Sequence, residues 1–368
     1  MNIMISGGGT GGHIYPALTI YKTLDTMVDA NFLYVGTERG LESRIVPKEG
    51  IPFITLPVQG LQRKLSLDTL VTAGKTLSSL WKANQLISEF KPDIVIGTGG
   101  YVCGPLLLAA ALRGIPTLIQ EQNVVPGITN KILSRFVDVV AVGYEEAARH
   151  FPSAKQVVYT GNPVRPSVVT ANREEARAYF GLQDNQTAIL VAGGSRGARS
   201  INTAMQAVHE QYKGREDIKI IHATGTDEYS RVCERLGIHE GEVYSPTSHI
   251  VPYLDNMDMA MAASDMAIFR SGAIGLAELA VRGIPSILIP YPYAAADHQT
   301  FNAKAFVEAG ASTMIVDKEL DGTRLLQAVD AMLADRGCRE RMAQATLQLG
   351  KPEAAIEIAK LALSIKKS

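Results

Sequence analysis

Residues 93–119 read DIVIGTGGYVCGPLLLAAALRGIPTLI, and residues 265–288 read DMAIFRSGAIGLAELAVRGIPSIL. Each runs from an aspartate through an apolar strand, a glycine turn and an alanine-rich helix to Arg-Gly-Ile-Pro and a second apolar strand. A strand that is apolar at successive positions is covered on both faces. A helix that returns the chain to a neighbouring strand in the same direction makes a right-handed parallel unit. One such unit is commonplace, but four features in the same order 172 residues apart point to two related domains in tandem. A second echo, IMISGGGT at 3–10 and ILVAGGS at 189–195, recurs at the similar offset of 186.

Working outward, strands are expected at 3–6, 31–35, 53–56, 93–96, 117–120 and 137–142, then at 188–192, 219–223, 266–269, 286–289 and 313–316. Helical stretches separate them, so the expected class is α/β with two parallel sheets. The segment GNPVRP at 161–166 has two prolines and a glycine and no strand or helix pattern, which places the join there. The expected domains are 1–162 and 163–345. A closing helix over 346–368, apolar at Ala355, Ile358, Ala359, Ala362 and Ile365, can close either domain, by packing back on the first or by staying on the second. Ligands of such folds sit at the carboxyl ends of the strands, here in a cleft between the domains.

A chain of 368 residues suits two domains. Its 36 basic and 37 acidic residues leave a net charge of -1, which argues against holding nucleic acid by bulk charge. The longest apolar run, 106–112, is far short of a membrane span. The N-terminus enters a glycine loop with no basic leader, and a cytoplasmic location is expected. Cys103, Cys233 and Cys338 are too scattered for a disulfide framework or a zinc site.

Three glycine loops follow strands: GGGTGGH at 7–13, GTGGY at 97–101 and GGSRG at 193–197. Such loops let backbone N–H groups approach an anion at a helix N-terminus. The first also fits G-x-G-x-x-G, and with Glu38 as the ribose acid a nicotinamide-dependent oxidoreductase is an alternative. His13 opens the following helix, either as a proton acceptor for a substrate hydroxyl or as a residue that orders the loop. Arg165 in the hinge is a phosphate partner or a surface cation. Glu278 is a ligand for a ribose diol or an acid favourably placed early in a helix. Asp297, His298, Gln299 and Asn302 can read sugar hydroxyls, or Asp297 can cap a helix. There is no Asp-x-Asp, HExxH or Walker lysine motif.

Taken in order, GGGTGGHIYPAL at 7–18, GTGGYVCGP at 97–105, EQNVVPGITNK at 121–131, GNPVR at 161–165, GGSRGARSIN at 193–202, FRSGAIGLAEL at 269–279 and PYPYAAADHQTFNA at 290–303 resemble the MurG family over nearly the whole chain. The resemblance implies a GT-B glycosyltransferase fold of two Rossmann-like domains, the first for the acceptor and the membrane, the second for UDP-GlcNAc. It implies inverting transfer of GlcNAc to lipid I, forming lipid II, with no obligatory cofactor or metal. Carried over, His13 is the family's proposed base, and Thr10, Gly11 and Gly12 approach the donor sugar and acceptor. Ser195 and Arg165 face the diphosphate, and Glu278 holds the ribose. Leu254 offers a backbone contact to uracil, and Asn123, Ala273, Ile274 and Gln299 surround the GlcNAc. Arg196, Gly275 and Leu254 depart from the commoner residues of the family, and Gly275 removes a hydroxyl near the donor.

The implied partners are UDP-GlcNAc, lipid I, the anionic inner face of the cytoplasmic membrane and other cell-wall synthesis proteins, without nucleic acid. The implied location is peripheral, at the cytoplasmic face of the membrane. Residues 61–82 interleave Leu65, Leu67, Leu70, Val71, Leu77, Leu80 and Trp81 with Arg63, Lys64, Lys75 and Lys82, a pattern suited to an interface or to an ordinary amphipathic helix. Residues 1–160 carry a net charge of +2 and the remainder -3. A sugar-nucleotide sensor on the same fold is the remaining alternative if His13 is structural.

Overall fold

The computed structural model describes residues 1–58 and 68–366, the side chains of 68–77 excepted. Residues 61–67 of the 61–82 stripe and the side chains of its residues 68–77 therefore lie outside the described residues. The apolar runs build two sheets whose described strand pairs are all parallel. The first contains β1 (Asn2–Ser6), β2 (Asn31–Gly36), β3 (Phe53–Thr55), β4 (Ile94–Gly97), β5 (Thr117–Glu121), β6 (Val139–Val142) and β7 (Val157–Tyr159), ordered β3-β2-β1-β4-β5-β6-β7. The second contains β8 (Thr187–Ala192), β9 (Ile218–Ala223), β10 (Ser248–Val251), β11 (Met266–Phe269), β12 (Ser286–Leu288) and β13 (Ser312–Met314), ordered β10-β9-β8-β11-β12-β13. The repeated segments are thus β4–helix–β5 and β11–helix–β12, at equivalent places. In each sheet the order reverses next to them, between β1 and β4 and between β8 and β11, which opens a crevice at the strands' carboxyl ends.

The chain forms two units, Met1–Val164 with Lys351–Ser368, and Arg165–Gly350. The second unit runs past the expected 345 because the helix Arg336–Leu349 packs on the helix Ala273–Arg282. Gly283 makes room there, since a β-carbon on it would lie 2.6 Å from Leu347. The chain then returns to the first unit. Its last helix, Ala354–Ser364, buries Ile358, Ala359 and Ala362 with Ile14 and Leu18 of the helix Gly11–Met27. Each fully buried isoleucine there contributes about 1.5–3 kcal/mol. Alternate strand residues serve opposite layers: Ile3, Ile5, Ile94 and Ile96 face this helix pair, while Met4 and Val95 face Leu106 and Leu107.

Two strands, β7 and β10, are absent from the sequence expectation. Both are sheet edges. β10 reads Ser-His-Ile-Val and presents no continuous apolar run, while β7, Val-Val-Tyr, is apolar but only three residues long and has no fully buried residue.

Beside β9 lies a buried polar chain. Asn202 Nδ2 donates to the Thr224 carbonyl at 2.8 Å, which leaves its Oδ1 to accept from His222 Nε2 at 3.1 Å. His222 Nδ1 then accepts from His209 Nε2 at 3.1 Å, and His209 Nδ1 accepts from the Ser248 hydroxyl at 3.2 Å. The direction of the chain requires both rings to be neutral. Burial pushes His209 down to about 4 and His222 well below its ordinary value. A histidine depressed in the folded state stabilises fully above its unfolded value of about 6.5 and loses that contribution as the pH falls. The melting temperature is therefore expected to fall between pH 7 and pH 4.5. A His209→Gln/His222→Gln variant should lose most of that slope in calorimetric scans across the same range.

Candidate active site

In the first unit the site grows from the loops that follow β1, β4 and β5. The helix Gly11–Met27 begins at Thr10, which is extended, and has no acid in its first turn. Among the described residues, the amides of Thr10, Gly11 and Gly12 make no hydrogen bond, so they form a ready anion or oxyanion contact. His13, in that first turn, places Nδ1 3.0 Å from the Gly8 carbonyl. A carbonyl only accepts, so Nδ1 carries the hydrogen and Nε2 is the lone-pair nitrogen, as a base requires.

The loop after β4 fixes this geometry. The Thr98 hydroxyl donates to the His13 carbonyl at 2.7 Å, and the Gly8 amide donates to the Gly99 carbonyl at 3.3 Å. A β-carbon on Gly99 would lie 2.8 Å from the His13 ring, and one on Gly100 would lie 2.3 Å from the Gly8 oxygen. Asn123, expected at the sugar, turns back: its amide and its Nδ2 both donate to Glu121 Oε1, at 2.9 and 3.1 Å. The other carboxylate oxygen accepts from the Gly127 amide at 3.1 Å and from Asn130 Nδ2 at 2.9 Å. Asn130 in turn adjoins Gly99, so Thr10, Gly11, Gly12, His13 and Asn123 belong to one connected region.

Glu121 and Glu42 are buried carboxylates that sequence reading passed over. Glu121 lay inside a quoted motif, but Glu42 carried no motif signal. Its carboxylate meets the first glycine loop, accepting from the Gly9 amide at 3.0 Å. Glu38, the acid needed for a dinucleotide, is exposed. The Gly9 amide of that loop is already taken by Glu42, while those of Thr10, Gly11 and Gly12 stay open to an anion, so the loop alone does not decide between the two readings.

In the second unit the corresponding loops follow β8, β11 and β12. Ser195 is exposed in the 193–197 loop, whose Arg196 is drawn aside by Asp227 at 2.9 Å. Ala273 and Ile274 open the helix Ala273–Arg282, where first-turn amides have no helical acceptor and no acid offsets the dipole. Glu278 is the sixth residue of that helix. It lies beyond the first turn, so the dipole does not account for it. It is buried, and its Oε1 accepts from Arg165 Nε at 2.7 Å. Burial raises the Glu278 carboxyl above the ordinary value, partly offset by Arg165. The residues expected at the ribose and at the diphosphate are therefore hydrogen-bonded to each other, with Asp258 and Tyr253 electrostatically near. Leu254, between them in sequence, is buried.

Gln299 accepts from the Tyr291 amide at 2.9 Å through Oε1, and its carbonyl accepts from the Ser271 hydroxyl at 2.8 Å. Asp297 stands at the N-cap position but in the left-handed region, φ 54°, and accepts from the Thr300 hydroxyl in place of a backbone amide. His298 is bonded to the Ala295 carbonyl, and Asn302 donates to the Ser271 carbonyl. A clamp absent from the sequence reading holds this loop. Arg270 donates to the Ile289 and Pro290 carbonyls, to Asp317 at 2.5 Å and to Ser200 at 2.9 Å. Among the described residues no three His, Cys, Asp or Glu side chains group as metal ligands do.

Residues 3–142 match the glycosyltransferase family 28 N-terminal domain, and residues 188–358 match its C-terminal domain. The chain belongs to glycosyltransferase family 28. A relative from Desulfitobacterium hafniense is 48% identical over 364 residues, covering 99% of each chain. One from Desulforamulus reducens is 47% identical, covering 98% of this chain and 97% of its own. Both are called UDP-N-acetylglucosamine–N-acetylmuramyl-(pentapeptide) pyrophosphoryl-undecaprenol N-acetylglucosamine transferase. The crystal structure of MurG from Acinetobacter baumannii superposes with a TM-score of 0.79 at 30% identity over 99% of both chains. The MurG resemblance and the GT-B fold expected from the sequence are thus established, and this family 28 chain is a glycosyltransferase.

The approach of Gly100 to the Gly8 oxygen is backbone against backbone, at φ +84°, and no side chain can move to relieve it. Gly100→Ala in the family 28 chain is expected to cost about 2–4 kcal/mol and to lower the melting temperature by roughly 5–10 °C. Gly127→Ala, where a β-carbon meets nothing within 4 Å, is the control and should melt close to wild type.

Proposed function

We propose that this chain moves N-acetylglucosamine from UDP-N-acetylglucosamine to the C4 hydroxyl of the N-acetylmuramyl unit of lipid I, forming lipid II with inversion at the anomeric carbon. The observation that carries the reading is 48% identity over nearly the full length with a transferase named for that reaction, joined to a histidine whose Nδ1 contact with a carbonyl suits a base at Nε2. His13 Nε2 takes the proton of the attacking hydroxyl, while Thr10, Gly11 and Gly12 contact the donor sugar and the acceptor through their amides. The leaving diphosphate gains its stabilisation from Arg165, the Ser195 hydroxyl and the amides of Ala273 and Ile274, with no obligatory metal. Glu278 accepts from the ribose diol, the backbone at Leu254 meets uracil, and Gln299 and Asn123 read the GlcNAc. Arg165 exchanges Glu278 for the diphosphate as the ribose takes over the carboxylate, and Asn123 releases Glu121.

The acceptor is anchored in a bilayer, so the enzyme works at the cytoplasmic face of the membrane as a peripheral protein. Support comes from the first unit, where Trp81 (65% exposed), Leu112 (71%) and Ile128 (66%) stand among Lys82, Arg113 and Lys131. They lie on or beside three helices, Asp68–Phe90, Cys103–Leu112 and Ile128–Leu133, the middle one packed on the other two. No helix among the described residues is long and apolar enough to cross a membrane.

Purified protein given UDP-[14C]GlcNAc and a lipid I analogue should form labelled lipid II analogue, and absence of transfer overturns the reading. His13→Ala is expected to lower kcat about 10²-fold or more. Glu278→Ala should raise KM for UDP-GlcNAc about 10- to 100-fold, the worth of a charge-assisted hydrogen bond pair. In flotation assays with phosphatidylglycerol vesicles, Trp81→Ser/Ile128→Ser should bind several-fold more weakly than wild type, and unchanged binding would remove these residues from the membrane contact.

A further inference from the structure

We propose that Glu42 is a positioning residue for His13, acting through the Gly8–Gly9 peptide as a hydrogen-bonded line of carboxylate, peptide and imidazole. The proposal rests on His13 being the base in the reading above.

The peptide between Gly8 and Gly9 is held at both ends. Its N–H, on Gly9, donates to Glu42 Oε2 at 3.0 Å. Its carbonyl, on Gly8, accepts from His13 Nδ1 at 3.0 Å. The other carboxylate oxygen accepts from the Thr37 amide at 3.0 Å and the Thr37 hydroxyl at 2.6 Å. All three partners of Glu42 are neutral donors, so the carboxyl serves only as an acceptor, in a fully buried place. That place is made by glycines from separate segments. A β-carbon on Gly8, Gly36 or Gly40 would come within 2.6, 2.7 or 2.2 Å of the Glu42 side chain. The Thr37 contacts at Oε1 tie the carboxylate to the turn before the helix Glu42–Ile45. The contact of Oε2 with Gly9 is what ties the carboxylate to the catalytic loop.

A peptide whose N–H is bonded to a negative acceptor is polarised, and its carbonyl becomes a stronger acceptor. The stronger acceptor pins Nδ1–H, keeps the lone pair on Nε2 and favours the imidazolium that forms when Nε2 takes the proton. The arrangement parallels a carboxylate bonded directly to a catalytic imidazole, with one peptide interposed and a correspondingly weaker effect. Other titratable groups face this loop. The Tyr34 hydroxyl donates to the Gly7 carbonyl at 2.6 Å, and the Cys103 thiol donates to the Ser6 and Gly99 carbonyls. Burial lifts Tyr34 well above its ordinary value and Cys103 to about 11, so neither titrates between pH 5 and 9. Tyr101 lies against Gly9, and Glu121 approaches through Asn130.

Glu42→Gln keeps the shape and one acceptor oxygen and removes the charge. With the full chain, UDP-GlcNAc and the lipid I analogue, kcat should fall about tenfold while KM for UDP-GlcNAc stays within about twofold. The acid limb of the kcat profile should move down by about half a pH unit. Placed on His13→Ala, the same change should cost nothing further. A loss that multiplies with that of His13→Ala, or an unmoved profile, makes Glu42 merely structural and overturns the proposal. Wild-type turnover by His13→Ala removes His13 as the base, a separate failure. A measurement free of activity and of variant folding is the 15N spectrum of histidine-labelled wild-type protein, assigned by His13→Gln. His13 as the Nδ1–H tautomer is expected, and His13 as the Nε2–H tautomer overturns the proposal.

Discussion

The backbone of the loop after β4 lies against the backbone of the loop after β1, closer than any side chain permits. Gly100 has no β-carbon because the Gly8 oxygen occupies its place. That approach lets Gly99 accept from the Gly8 amide, lets Thr98 hold the first turn of the helix Gly11–Met27, and sets His13 beside Gly99. The sheet order supplies the opportunity, since β1 and β4 are the neighbours between which the strand sequence reverses. The second unit repeats the device with other residues: a β-carbon on Gly225 would meet the Gly197 backbone at 2.0 Å. Glycine is thus spent where two loops of a parallel sheet must nearly touch.

The two units stabilise their buried charges differently. In the first, Glu42 and Glu121 are surrounded by neutral N–H and O–H donors, which satisfies a carboxylate's lone pairs while leaving its charge available to the loop. In the second, carboxylates meet arginines: Glu278 with Arg165, Asp317 with Arg270. A buried ion pair with one exposed member exchanges its partner readily for a ligand. Arg165 keeps 39% of its side chain exposed while Glu278 keeps 7%. A carboxylate held by backbone amides has no such freedom. On the proposed function, the first arrangement suits a fixed catalytic geometry and the second a nucleotide that must bind and leave.

Much of this was legible in the chain. The central strands announced themselves as continuous apolar runs because helices cover both faces, and the duplicated Asp-to-Pro segments pointed to two related units. The edge strands β7 and β10 did not: β10 is polar at two of its four positions, and β7 offers only Val-Val-Tyr, too short a run to stand out. The glycine loops and His13 stood out by composition. Glu42 did not, because nothing around it in sequence distinguishes a glutamate that turns inward from one that opens a surface helix.

By itself the sequence determined two related parallel α/β units and the family to which the ordered motifs belong. These depend on periodicity and on local order, which neighbouring residues carry. Only the tertiary structure decided that Glu42 reaches Gly9 across 33 residues, that Arg165 and Glu278 pair across 113, and which ring nitrogen of His13 carries the hydrogen. Those facts depend on the distance and direction between groups far apart in the chain. For Glu42 and His13 such distances exist only after β1, β2 and β4 have been set side by side, and for Arg165 and Glu278 only after the second unit has folded.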